Sequence, residues 1–300
     1  MSYKCTIIAN EMERSRNQSR RVLSVLIITI TICLLELVGG IVSKSYALIA
    51  DAGHMLTDSA SLIICYFAAL IARKQATREK TYGYFRVEII SALINGTLLL
   101  MLSLFVIYNG VRRYFVPFEI NGDIMLIVSS IGLVANILGI FLLKGHTHNL
   151  NIRGALLHIL GDTLSSVGVV IGSLLIIFFN LNIVDAVLST LIGLLIFYNA
   201  IMLIRDAVNV LMESVPPDID IEGLIADIKS EFKEILDIHD VHIWSISSGI
   251  YILTMHITTD ASDIDRTDHI LEEIRRILRD RYHIEHSTIQ IESPEFKKCS

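Results

Sequence analysis

The segment from Ala50 to Ser61 reads A-D-A-G-H-M-L-T-D-S-A-S, and the segment from Gly154 to Ser165 reads G-A-L-L-H-I-L-G-D-T-L-S. Each carries a histidine and, four residues on, an aspartate: His54 with Asp58, and His158 with Asp162. Both pairs lie inside long apolar runs. An ionisable side chain near a bilayer centre costs about 2.5 to 3.5 kcal/mol even on insertion scales, so four at matched spacing mark a site and not an accident. On a helix, residues four apart share a face, and each pair can aim an imidazole nitrogen and a carboxylate oxygen at one point. Two such helices supply two nitrogens and two oxygens, a tetrahedral donor set that suits Zn²⁺. The echo between the segments is too short to prove duplication, but it fits two helices serving one site from two sides.

The composition provides the setting: 53% of the 300 residues are hydrophobic, and the mean hydropathy is +0.59, well above an ordinary soluble domain. A net charge of -6 without a long basic stripe gives no reason to expect nucleic-acid binding. The cysteines Cys5, Cys33, Cys65 and Cys299 are scattered and form neither a CxxC pair nor a disulfide framework.

Apolar runs of about 20 residues mark six membrane spans, near Val22–Val42, Tyr46–Ala72, Val87–Gly110, Asp123–Leu143, Arg153–Phe179 and Val184–Leu211. Arg14, Arg16, Arg20 and Arg21 precede the first span, and Arg73, Lys74, Arg78, Lys80 and Arg86 separate the second from the third. Both segments are therefore expected in the cytoplasm, and an even span count returns the C-terminus there. Lys44, Arg112 and Arg113 remain as the main basic residues of the far side. Glu36 and Asn136 are expected to face the bundle interior, because lipid exposure would be costly. Asp51, three residues before His54, reads either as a carboxylate orienting the imidazole or as a solvated residue near the outer mouth.

After Met212 the pattern changes, with Pro216 and Pro217 ending the last span. Ile221, Leu224, Ile225, Ile228 and Phe232 predict a helix, Val241–Ile246 and Ile250–Ile257 two strands, Asp263–Tyr282 a second helix, and Ser287–Glu292 a final strand. A small two-layer α+β domain is the natural packing for that order. The chain thus divides into an N-terminal tail (1–21), a six-helix transmembrane domain (22–213) and a C-terminal cytoplasmic domain (214–300).

The stretches Tyr46–Asp58 and Leu157–Asp162, the loop with Tyr82, Gly83, Tyr84 and Arg86 followed by Glu88, and Val241–Ser245 resemble the cation diffusion facilitator family over almost the whole chain. The resemblance implies a homodimer that exports Zn²⁺ from the cytoplasm in exchange for protons, with Cd²⁺ and Co²⁺ as further candidate cargo. It implies that the C-terminal domain is ferredoxin-like, and that the protein is integral to a bacterial inner membrane with both termini cytoplasmic. His54, Asp58, His158 and Asp162 map to the transport ligands, while His239, His256, His286 and Glu292 map to a second, cytoplasmic zinc site with a regulatory role. No prosthetic group is implied. The loop between the fourth and fifth spans keeps only His146 and His148 where relatives are often histidine-rich, and Phe85 stands where relatives often carry histidine.

Zn²⁺ needs neutral imidazole and ionised carboxylate, so metal and protons exclude each other from one site. Histidine, with an ordinary pKa of about 6.5, suits that exchange, and rocking of helices around the site would alternate access. Two other readings use the same residues. An intramembrane metalloenzyme would hold zinc with an open position for water, but no HExxH-like motif supplies the acid-base group. A membrane-anchored metal sensor would need neither six spans nor ligands within them.

Overall fold

The structure, a computed structural model, describes residues 29–72, 76–116, 119–143, 150–247, 249–260 and 264–295. The side chains of Asp58 and His158 lie outside the described residues, as do residues 14–21, 73, 74, 146 and 148. Eight helices are seen among the described residues: α1 Thr29–Ser43, α2 Tyr46–Ala72, α3 Arg86–Phe115, α4 Gly122–Leu143, α5 Leu150–Phe179, α6 Ile183–Leu211, α7 Ile221–Glu231 and α8 Ile264–Tyr282. Three strands, β1 Ile235–Ser247, β2 Ile250–Thr259 and β3 His286–Glu292, complete the order.

The chain forms two compact units. One comprises residues 29–64 and 94–202 of those described, and the other residues 65–93 and 203–295. Four described helical segments, Arg86–Phe115, Gly122–Phe141, Ile159–Phe179 and Ile183–Leu211, are long and apolar enough to cross a membrane, and α1 is a shorter apolar helix. At 1.5 Å rise per residue, the 27 residues of α2 also exceed the thickness of a hydrocarbon core. Outward apolar side chains such as Met101, Phe105, Phe141, Phe178 and Leu195 remain exposed, as lipid-facing surfaces require. Glu36 and Asn136 are buried, in agreement with the sequence reading.

At one end of the helical unit α2 begins on a polar knot. The Ser45 hydroxyl caps it by accepting from the Leu48 amide at 3.2 Å. Asp185, in the first turn of α6, accepts from the Ser45 hydroxyl and from the Tyr46 and Ala47 amides at 3.2 and 3.3 Å. A carboxylate at a helix N-terminus answers both the free amides and the helix dipole. Arg113, in the last turn of α3, reaches Asp185 at 2.5 Å, donates to the Lys44 carbonyl and lies 4.2 Å over the Tyr46 ring. Arg113, read from the sequence as one of the main basic residues of the far side, is buried and ion-paired, and the same charge without its partner would be far more costly there.

In the second unit, β1 pairs antiparallel with β2, and β3 pairs parallel with β2, giving the order β1-β2-β3. Leu224 and Ile228 of α7, Ile270, Ile274 and Leu278 of α8, and Leu253, Met255 and Ile257 of β2 form one core. Because successive side chains of a strand alternate faces, Thr254 and His256 point away from that core. β1 begins six residues earlier than Val241–Ile246 predicts, because a bulge hides its alternation. His239 pairs with His256 but His242 pairs with Thr254, so three steps on β1 match two on β2. The extra residue lets both Ile238 and Ile243, five apart, enter the same core. Two bonds within this unit hold the start of α3: Arg86 pairs with Glu213 at 2.6 Å, and the Ser247 hydroxyl donates to Glu88.

Candidate metal centres

The first candidate centre lies in the helical unit. His54 is half-buried on α2, and Asp162 is buried on α5. Gly53 lets α3 approach beside His54: a Cβ there would stand 2.8 Å from Leu102 Cδ2. Asp51, one turn before His54, is only 3% exposed, which excludes the solvated reading. It accepts hydrogen bonds from Ser165 at 2.8 Å and Ser166 at 3.4 Å, both on α5. Asn136 of α4 donates to the Ser166 hydroxyl at 3.2 Å, extending the network to a third helix. Asp51 also lies within electrostatic reach of both His54 and Asp162. Glu36 of α1 is fully buried, with neither carboxylate oxygen hydrogen-bonded among the described residues. Gly132 of α4 makes room for it, since a Cβ there would come 2.1 Å from Glu36 Oε1.

The second candidate centre lies on the sheet face turned away from α7 and α8. His239 and His256 are cross-strand partners, and Gln290 of β3 stands beside His256, two residues before Glu292. His239 Nε2 is 3.3 Å from Glu292 Oε2, and His256 Nδ1 is 3.0 Å from Glu292 Oε1. Donor atoms bound tetrahedrally at about 2.0 to 2.1 Å from zinc sit roughly 3.3 Å apart, so each histidine stands from the Glu292 carboxylate at a distance close to that of two ligands on one zinc ion. One donor atom from each lies within 4.8 Å of the others, and Glu292 is buried. Gln290 donates to Glu292 Oε1 at 2.9 Å, fixing the carboxylate from its own strand.

His286 does not join them. It is exposed and pairs with Ile252, four residues along β2 from His256, about 13 Å at the rise of a strand. Spacing alone concealed this, because residues 286 and 292 share a face of β3 while standing at its opposite ends. Sequence reasoning missed Asp185 and its pairing with Arg113, whose signal was an acid at the start of one span and a base at the end of another.

The chain matches the cation efflux transmembrane domain over residues 22–212 and the cation efflux protein cytoplasmic domain over residues 216–294. It belongs to the cation efflux, or cation diffusion facilitator, family. Among the relatives of this family member, a cadmium, cobalt and zinc/H(+)-K(+) antiporter of Bacillus velezensis is 41% identical, over 92% of this chain and 89% of the relative. Zinc transporter ZitB of Escherichia coli is 37% identical, over 92% of this chain and 88% of the relative. Metal cation efflux system protein CzcD of Cupriavidus metallidurans is 36% identical, over 89% of this chain and 84% of the relative. The solved metal-bound C-terminal domain of the CzcD transporter from Cuprividus metallidurans is 31% identical, covers 25% of this chain and 99% of its own, and superposes with a TM-score of 0.22. The protein is an integral membrane protein of a metal-efflux family.

Proposed function

We propose that this chain exports Zn²⁺ from the cytoplasm in exchange for protons, through a tetrahedral site formed by His54 and Asp58 of α2 with His158 and Asp162 of α5. The Asp51–Ser165 hydrogen bond carries this reading. In helices of opposite direction, three residues forward from Asp51 on α2 meet three residues back from Ser165 on α5, which pairs His54 with Asp162. Four further residues pair Asp58 with His158. The bond thus supports a register in which the four proposed ligands would share two neighbouring layers.

The metal leaves when imidazole and carboxylate take up protons, so a proton gradient can drive its release on the far side. Asp51 holds α2 against α5 from a position beside the ligands, and alternating access would move these helices relative to the others. The finer architecture belongs to the same proposal: six spans, both termini cytoplasmic, a ferredoxin-like C-terminal domain that joins two copies into a homodimer, and residence in a bacterial inner membrane. The names of the relatives support zinc as cargo, with cadmium and cobalt as further candidates. They leave the metalloenzyme and sensor readings without support. His239, His256 and Glu292 would bind cytosolic zinc as a regulatory ligand, with a fourth position open to water or another donor.

The test is zinc uptake by inverted vesicles containing the purified protein. Acidifying the lumen relative to the bath should accelerate uptake, and a protonophore should abolish the acceleration. Uptake that ignores the gradient would overturn the exchange, and absence of uptake would overturn zinc as cargo.

A further inference from the structure

Each imidazole of the sheet-face cluster has two nitrogens, and in both rings each nitrogen faces a carboxylate, although His239 Nδ1 makes no hydrogen bond among the described residues. His256 turns Nδ1 toward Glu292 at 3.0 Å and Nε2 toward Asp240 Oδ2 at 3.6 Å. His239 does the reverse, with Nε2 toward Glu292 at 3.3 Å and Nδ1 toward Asp237 Oδ2 at 3.5 Å. The two outer carboxylates are themselves held: Lys229 Nζ lies 3.3 Å from Asp237 Oδ1, and His242 Nε2 lies 3.0 Å from Asp240 Oδ1.

Asp240 owes its place to the bulge in β1. Its φ of 50° lies in the left-handed region, which aspartate tolerates better than most residues. The pairing jumps from His239 opposite His256 to His242 opposite Thr254 at this point. A bulge re-aims side chains, and here an Asp240 carboxylate oxygen comes near the outer nitrogen of His256, the residue paired with its neighbour.

We propose that Asp240 is a positioning residue: it fixes the His256 ring and its tautomer so that Nδ1 faces the metal point, and thereby raises the zinc affinity of the cytosolic site. The proposal rests on the reading of His239, His256 and Glu292 as a zinc site. A carboxylate behind a ligating imidazole keeps the proton on the outer nitrogen, leaves the inner lone pair free and limits ring rotation. Asp237 and Asp240 lie beside the outer nitrogens of the rings and are not among the three grouped donors.

The test uses the full chain in lipid nanodiscs, labelled with ¹⁵N-histidine, the His256 signals being assigned by their loss in His256→Gln. Zinc is titrated while those signals are followed. In the wild type the metal should settle on Nδ1 of His256, with the proton on Nε2. Asp240→Gly keeps the left-handed backbone but removes the carboxylate, and should weaken zinc binding at His256 about tenfold to a hundredfold and mix the tautomers of the free ring. Asp240→Asn, which retains an oxygen acceptor and tolerates positive φ, should recover part of the loss. Wild-type affinity and an unmixed tautomer in Asp240→Gly would overturn the positioning role and leave the site standing. Zinc on Nε2 in the wild type would overturn the proposed orientation. No response of the wild-type His256 signals to zinc would overturn the site and the proposal together.

Discussion

The guanidinium of Arg113 and the carboxylate of Asp185 lie 2.5 Å apart, with side-chain exposures of 7% and 0%. This buried pair joins the end of α3 to the start of α6, and through Ser45 and the Tyr46 and Ala47 amides it also anchors the first turn of α2. Removing one partner of a buried pair strands the other charge, which costs about 3 to 5 kcal/mol. Asp185→Asn is therefore expected to lower the unfolding midpoint of the detergent-solubilised protein sharply. Adding Arg113→Met to that variant should restore part of the loss, because the stranded cation is gone. A single variant as stable as the wild type would show that the pair does not hold these helices.

The transport reading predicts that Asp162→Ala and Asp58→Ala each abolish zinc–proton exchange while the protein still inserts and folds. Each removes an anionic ligand without shortening an apolar helix. Flux in proteoliposomes checks the activity, and the unfolding midpoint checks the fold. Near-normal flux in either variant would remove that residue from the site. Ser165→Ala should act differently. It keeps all four ligands but deletes the 2.8 Å bond to Asp51, so exchange should slow and not vanish.

Most of the helical architecture was legible because apolar length is a strong signal. The ends of α3 to α6 lie within five residues of the spans marked from sequence. The C-terminal order of helix, strand, strand, helix and strand was equally plain. β1 was read too short because the bulge at Asp240 shifts the burial of Ile238 and Ile243 out of simple alternation. The Arg113–Asp185 pair was invisible for another reason: its partners are 72 residues apart, and no local pattern links them. His286 failed through distance along a strand, which sequence proximity to Glu292 cannot reveal. Asp51 stood undecided until its bonds to Ser165 and Ser166 placed it in the interior.

Packing between α1 and α4 yields a further expectation. The hollow at Gly132 receives the Glu36 carboxyl, and a methyl group there would stand 2.1 Å from Oε1. Gly132→Ala should force Glu36 from its buried place and destabilise the protein by about 1 to 3 kcal/mol, the usual cost of overpacking. Thermal unfolding checks this. If the variant is unchanged, Glu36 can move aside at no cost, and the close fit has no energetic weight.

Cytosolic zinc provides the last expectation. A ligand that binds only the folded form stabilises it by RT ln(1 + [L]/Kd), about 2.7 kcal/mol at a hundredfold excess over Kd. The strands that carry His239, His256 and Glu292 belong to one sheet packed on α7 and α8, so a metal joining them would tie β1, β2 and β3 together at the ends where they share no turn with one another. Zinc should therefore protect the amide hydrogens of these strands in the full-length protein against exchange, and chelation should reverse the effect. His256→Ala should erase most of the protection while leaving exchange at the intramembrane site slower but present, since that path lies in the helical unit. Equal protection with and without zinc would remove the cytosolic site and leave the sheet as a structural platform.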